Sequence, residues 1–135
     1  MRILSIDYGE RRTGLAITDE LGITAQGLDT IIASSEEDVF RKVVEIVRKY
    51  EAGKILLGLP LNMNGSESEK SEKVRAFGKA LEVETSLPVV YWDERMTSMQ
   101  AKRVMAEMEV KSYGKKHLLD RISATLMLQE YMKTF

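Results

Sequence analysis

The start of the chain contains two short apolar runs, residues 3–6 and 14–17, joined by the sequence YGERRT and closed by the aspartates Asp7 and Asp19. A strand-turn-strand hairpin fits this pattern, because a short corner containing glycine connects two antiparallel neighbours. A third apolar stretch at residues 23–32 predicts another strand. The first third of the chain is therefore expected to fold as an antiparallel meander.

After the meander, helical and strand-like segments alternate. Apolar residues recur at helical spacing after a serine N-cap at Ser34 or Ser35 and before a stop at Gly53. Two apolar runs predict buried strands, three further segments predict helices, and a basic loop is predicted before the last helix. The two predicted strands are residues 54–60 and 88–94. Of the three predicted helices, the first ends at about residue 83, the second spans 97–108 and the third spans 117–135. The loop covers residues 109–116. The order β-β-β-α-β-α-β-α-α predicts a mixed sheet covered by helices, within one domain spanning 1–135.

The composition excludes several classes of protein. With no cysteine, neither a disulfide framework nor a thiolate metal site is possible. The net charge is −1, so the chain is not a strongly basic nucleic-acid binder, although residues 101–121 hold six basic against three acidic side chains, a local charge of +3. The apolar runs fall short of the roughly 18 residues that a membrane helix needs, and the start lacks a signal-peptide pattern. We therefore expect a cytoplasmic protein with no membrane partner.

Carboxylates occur where strand and helix patterns do not call for them. Asp7 closes the first strand, Asp93 and Glu94 close a later one, and Asp120 lies early in the last, mostly apolar helix. Ligand sites in mixed α/β sheets form at strand ends, and several carboxylates meeting there need a cation to offset their repulsion. Hard oxygen ligands suit Mg²⁺ or Mn²⁺, whereas one histidine and no cysteine make zinc a poor candidate.

Each of these residues also has a simpler interpretation. Asp7 suits a turn, since Asp-x-Gly is good turn chemistry. Asp93 and Glu94 suit a polar strand end paired with Arg95, and Asp120 suits a helix N-cap or an i,i+4 partner of Lys116. Similarly, one of the neighbours Tyr91 and Trp92 is expected to pack inside, with a stacking surface for a base as the alternative. Spacing in the sequence does not decide between these interpretations.

Four blocks of the sequence resemble a known family in both order and spacing. They read DYGERRTGLAITD, LLGLPLNMNGSESEKSEKVRAFGKAL, DERMTSMQA and LLDRISATLMLQEYM, and they extend over about residues 1–132. The family is YqgF/RuvX, within the ribonuclease H-like superfamily. Its members are described as Holliday junction resolvases and as nucleases that process the precursor of small-subunit ribosomal RNA.

The resemblance implies an α/β, ribonuclease H-like fold: a five-stranded mixed sheet, with three antiparallel strands and then parallel strands, flanked by helices. It implies a nuclease acting on an rRNA precursor or on branched DNA, with association with the ribosome, as a monomer or homodimer. Asp7, Glu94 and Asp120 would be catalytic and would hold one or two Mg²⁺ or Mn²⁺ ions, with Asp93 as a neighbouring or substitute ligand. Phosphate would face five basic residues: Arg11, Arg12, Arg95, Lys115 and Lys116.

Two other classes of function compete with a nuclease. An actin-like ATPase also uses an Asp-x-Gly hairpin, but such enzymes need two such subdomains and this length supplies one. A non-catalytic module associated with the ribosome or with nucleic acid would use the acids structurally, and the near-neutral net charge would favour weak contacts.

Overall fold

The computed structural model describes residues 1–111 and 116–135, with the backbone alone at 109–111 and 116. Within these residues the elements follow the predicted order. The strands are β1 (Arg2–Asp7), β2 (Arg12–Thr18), β3 (Ala25–Ile32), β4 (Ala52–Leu59) and β5 (Val89–Asp93). The helices are α1 (Glu36–Lys49), α2 (Glu69–Thr85), α3 (Met99–Lys111) and α4 (Lys116–Met132), and a turn of 3-10 helix, Glu94–Met96, follows β5.

The five strands form one mixed sheet in the order β3-β2-β1-β4-β5. β1 pairs antiparallel with β2, and β2 pairs antiparallel with β3. β1 and β4 are parallel, as are β4 and β5. This arrangement confirms the predicted meander followed by parallel strands, and it brings the carboxyl ends of β1, β4 and β5 to one edge of the sheet.

Alternating side chains of the strands build a core on each face of the sheet. On one face, Leu4 and Ile6 of β1 pack with buried residues of α1 and α2 such as Val39 and Val74. On the other face, Ile3 lies in a cluster with Ala124 and Leu128 of α4. The sheet is therefore enclosed between α1 and α2 on one side and α4 on the other.

The first helix begins as predicted and ends earlier than predicted. The hydroxyl of Ser35 accepts a hydrogen bond from the Asp38 amide at 3.1 Å, so Ser35 is the N-cap. The expected stop at Gly53 is wrong, because the chain turns at Glu51, whose φ is 53°, and Gly53 already lies in β4. A Cβ at Gly53 would collide with the side chain of Met1, so this glycine makes room for the first residue of the chain.

The basic loop predicted at residues 109–116 is wrong at both of its ends. Helix α3 continues through residues 109–111, and α4 begins at Lys116. The rest of the predicted loop, including its glycine, lies outside the described residues. In α4, Met127 and Leu128 are buried, whereas Leu119 and Ile122 are only partly buried.

Candidate active site

Three of the acidic residues identified in the sequence surround one edge of the sheet. Asp7 is the last residue of β1, and Glu94 directly follows β5, which is parallel to β1 across β4. Asp120 reaches the same edge from α4, which packs across β1 and β2. The structure therefore brings together residues that are far apart in the sequence, as expected for carboxylates at the ends of parallel strands.

Asp7 is a half-buried carboxylate in an unfavourable environment for a negative charge. Burial is the main cause that raises the pKa of Asp7 above its ordinary value, and the Asp120 carboxylate adds to this effect. A hydrogen bond from the Ser123 side chain and the positive charge of Lys70 act in the opposite direction. Sequence analysis did not identify Ser123 or Lys70 as part of the site.

Glu94 and Asp7 line one cavity at this edge of the sheet. The carboxyl group of Glu94 points into that cavity, although the residue as a whole is exposed. The 3-10 turn after β5 places Glu94 Oε1 beside Gly58, 3.0 Å from where a Cβ of that residue would lie. Burial, followed by repulsion from the Asp7 carboxylate, raises the pKa of Glu94 from 4.5 to about 7, against the opposing charge of Lys70. The cavity therefore holds two carboxyl groups with raised pKa values, and the charge of Asp7 contributes to the rise at Glu94.

Asp93 has a different role from its neighbour Glu94. The Arg95 guanidinium binds both oxygens of Asp93, with Nε 3.1 Å from Oδ1 and a second nitrogen 2.6 Å from Oδ2. These hydrogen bonds lower the pKa of Asp93. The ion-pair interpretation therefore applies to Asp93 and not to Glu94, and it also occupies Arg95, which was expected to face phosphate.

Asp120 is held by an arginine of the opening hairpin. Arg12 Nε lies 2.8 Å from Asp120 Oδ2, in a pair that is partly exposed. Gly14 allows this approach, because a Cβ there would collide with the backbone oxygen of Asp120. Gly14 lies within β2, opposite Asp7, and its role is close packing against α4.

In this structure these carboxylates are not arranged as a complete set of metal ligands. Among residues 1–111 and 116–135, no group of three or more His, Asp or Glu side chains is arranged to hold a metal ion. Asp120 is paired with Arg12 and Asp93 with Arg95. The pair that remains directed into the cavity is Asp7 and Glu94.

Basic side chains line the approach to this pair. A cavity of about 330 Å³ beside Asp7 and Asp120 is lined by Arg11, Arg12 and Lys70. The adjoining cavity of about 370 Å³, which contains Asp7 and Glu94, is lined by Lys70, Lys73 and Lys102. Of the five predicted phosphate-facing residues, Arg11 and Arg12 thus lie at the site. Lys115 lies outside the described residues, as does the side chain of Lys116.

The three lysines were missed by sequence analysis. Lys70 and Lys73 lie in the first turns of α2, where a positive charge near a helix N-terminus has no local reason to be favoured. That unusual placement is the one signal that the sequence offered for them. Lys102, on the exposed side of α3, belongs to the locally basic stretch 101–121 but was not singled out within it.

A search of the described helices found no segment both long and apolar enough to cross a membrane.

Comparison with known proteins identifies the family. The family model described as "RuvX: Holliday junction resolvase" matches residues 1–134. A protein of Clostridium acetobutylicum named "Putative pre-16S rRNA nuclease" is 41% identical over 134 residues, covering 99% of each chain. A protein of the same name from Halothermothrix orenii is 40% identical over 132 residues, covering 98% of this chain and 94% of its own.

Solved structures show the same fold at low sequence identity. RuvC of Thermus thermophilus, in complex with Holliday junction substrate, matches with a TM-score of 0.63 at 16% identity, covering 99% of this chain and 96% of RuvC. The fowlpox virus Holliday junction resolvase matches with a TM-score of 0.63 at 15% identity, covering 99% of both chains. These matches confirm the predicted ribonuclease H-like architecture. With the whole-length family match and relatives at 40% identity or more, they lead to one conclusion: this chain belongs to the RuvX family.

Proposed function

We propose that this protein is a divalent-metal-dependent endonuclease that hydrolyses phosphodiester bonds in structured nucleic acid, and that it processes the 5′ end of the small-subunit rRNA precursor. The observation that carries the proposal is the pair of carboxyl groups, Asp7 and Glu94, which share one cavity at the carboxyl ends of parallel strands. The names of the relatives support the rRNA precursor as substrate. We further propose that residues 1–135 act as one nuclease domain, in the cytoplasm and in association with the ribosome.

The donor chemistry of the site fits Mg²⁺ or Mn²⁺. Asp7 and Glu94 are hard oxygen donors, and the raised pKa values of both carboxyl groups support a site that takes up positive charge. We propose that these two residues hold the cation and that Asp120 joins them. Glu94, rather than Asp93, is the ligand after β5, because Asp93 is engaged by Arg95. When bound, the cation would supply Lewis acidity for the attack of water on phosphorus.

The remaining side chains orient the carboxylates and the substrate. The Ser123 side chain, which lowers the pKa of Asp7, would help to orient that carboxylate. Arg11, Arg12 and Lys70 line the cavity beside Asp7 and would bind the phosphates that flank the cleaved bond. Asp7, Glu94 and Asp120 are thus the proposed catalytic residues.

A second candidate substrate is the four-way DNA junction. The description of the matching family, Holliday junction resolvase, favours it. Both substrates present phosphodiester bonds at a departure from regular duplex, and the same carboxylates would serve for either.

One experiment compares the two substrates directly. Purified protein is incubated with a small-subunit rRNA precursor or with a four-way junction, in Mg²⁺, Mn²⁺ or a chelator. We expect cation-dependent cleavage of the precursor, abolished in Asp7→Asn and largely kept in Asp93→Asn, the matched change of a carboxylate that is paired with Arg95. Cleavage of the junction alone would transfer the function to DNA. Cleavage of neither substrate would contradict the nuclease and favour the non-catalytic module.

A further inference from the structure

We propose that the cavity containing Asp7 and Glu94 extends into a subsite for an unpaired nucleobase, adjacent to the phosphodiester that is cleaved. The inference rests on the proposed nuclease function and specifies the form in which the site takes its substrate. It concerns the apolar side chains that line this cavity together with the carboxylates and lysines.

The wall of the cavity is of two chemical kinds. Asp7, Glu94 and Lys70 suit a cation and a phosphate. Three large apolar side chains from three elements form an apolar wall of the same cavity, namely Trp92 of β5, Met105 of α3 and Met127 of α4. A phosphate gains nothing from such a wall, whereas a planar, weakly polar base gains contact area and loses little hydration.

The apolar wall begins directly beside the carboxylates. Both Glu94 Oε1 and Met127 Sδ lie 3.0 Å from the position that a Cβ on Gly58 would take. A nucleotide whose phosphate reaches Glu94 therefore carries its base to within reach of Met127 and its neighbours. With a volume of about 370 Å³, the cavity lies in the range of small-molecule sites.

Trp92 supplies a second observation that points to a ligand. Its ring makes an edge contact with Tyr131, with 6.0 Å between ring centroids, which holds it against α4. Its indole Nε1 is buried and has no hydrogen-bond partner among the described residues. An unpaired buried N–H is costly, and we infer that a rotation of the indole toward the cavity on binding would let it donate to an acceptor atom on the edge of a base.

Only an unpaired nucleotide can use such a subsite. A base within a duplex is stacked and paired, and enzymes that place a base in a cavity act on single strands or on a base turned out of the helix. The enzyme is therefore expected to prefer phosphodiester bonds next to unpaired nucleotides, in RNA or in DNA. Lys102, on the rim of the cavity, is placed to contact a neighbouring phosphate.

The subsite can be tested without cleavage, because Trp92 is the only tryptophan of the chain. Its fluorescence is followed in the metal-free wild-type protein during titration with three ligands: a single-stranded oligothymidylate, an abasic oligonucleotide of the same length, and a blunt duplex. Fluorescence anisotropy of labelled ligands measures the affinities in parallel. The abasic strand has the same phosphates and no bases, so it isolates the contribution of the bases.

We expect the oligothymidylate to quench Trp92 and to bind at least about tenfold more tightly than the abasic strand, with no quenching by the duplex. Met105→Ala should weaken binding of the oligothymidylate about fivefold. Met99→Ala, a change at a 67% exposed methionine of the same helix, should leave it unchanged.

Equal affinity for the thymidylate and abasic strands, or tight binding without quenching, would overturn the base subsite and leave the nuclease intact. Cation-dependent cleavage is scored separately, and its absence would count against the nuclease itself. If none of the three ligands binds, the base subsite is wrong, and the cleavage assay alone decides the nuclease.

Discussion

Replacing Glu94 with glutamine should stabilise the metal-free protein above about pH 7 and have no such effect below about pH 4.5, because the pKa of Glu94 rises from 4.5 to about 7 on folding. Between these values the folded protein binds more protons at Glu94 than the unfolded chain does, so stability falls as pH rises. Glutamine keeps the shape of the protonated carboxyl group and never ionises. The variant therefore escapes the loss that the wild-type protein undergoes.

The size of the effect follows from the change in pKa. A rise from 4.5 to about 7 would correspond to about 3 kcal/mol if the carboxylate were fully shielded from water. Because Glu94 is an exposed residue, solvent reduces both the cost of burying its charge and its repulsion from Asp7. We expect the free energy of unfolding of Glu94→Gln to exceed that of the wild-type protein by about 1 kcal/mol at about pH 8.

Denaturant unfolding across the pH range, in chelator, measures this difference. The neighbouring variant Asp93→Asn is the matched control with opposite sign, since Arg95 lowers the pKa of Asp93 and makes its charge stabilising. At neutral pH the free energy of unfolding of Asp93→Asn should be lower than that of the wild-type protein by up to about 1 kcal/mol. The difference should shrink in acid. Adding Mn²⁺ should then stabilise the wild-type protein more than Glu94→Gln. If Glu94→Gln is no more stable than the wild-type protein at high pH, or if its advantage is largest in acid, the raised pKa of Glu94 and the burial and repulsion that cause it are wrong.

Three further substitutions test other contacts of the site. Gly14→Ala should destabilise the protein by about 2 kcal/mol in denaturant unfolding, because its Cβ collides with the backbone of Asp120 and displaces α4; an unchanged midpoint would contradict that packing. Arg12→Ala should tighten Mn²⁺ binding about threefold by calorimetry and weaken nucleic-acid binding, since it releases Asp120 from its ion pair; weaker binding of Mn²⁺ would instead mean that Arg12 organises the site. Lys70→Ala should reduce the slope of log affinity against log salt by about 1, whereas Lys79→Ala, on the exposed side of the same helix, should not; equal slopes would remove Lys70 from the phosphate path.

Much of the fold could be predicted because it depends on local patterns. The meander follows from short apolar runs and short corners, and the helices follow from caps such as Ser35 and from apolar spacing. Gly53 was misjudged because its role is to make room for Met1, which directly precedes the paired strand β1 and is far away in the sequence. A contact between distant segments leaves no local pattern.

The site was predictable only in part, for the same reason. Asp7 could be identified because a carboxylate at the end of a buried strand is unusual. The choice between Asp93 and Glu94 depended on a single 3-10 turn, which sends adjacent side chains in different directions. Lys70 and Lys102 line the same cavity as the carboxylates because of the way α2 and α3 pack against the rest of the fold, which the sequence does not show.

The measurement that tests the central claim most directly compares two aspartates that close the first two strands. Cleavage rates of an rRNA precursor and a four-way junction are measured in Mn²⁺ for the wild-type protein, Asp7→Asn and Asp19→Asn, with melting temperatures as a check on folding. Asp19 accepts hydrogen bonds from the amides of Ile23 and Thr24 in a turn, away from the cavity. We predict a loss of about a thousandfold or more for Asp7→Asn and little change for Asp19→Asn. Equal rates for Asp7→Asn and the wild-type protein, in a folded variant, would contradict the assignment of Asp7 and with it the proposed active site.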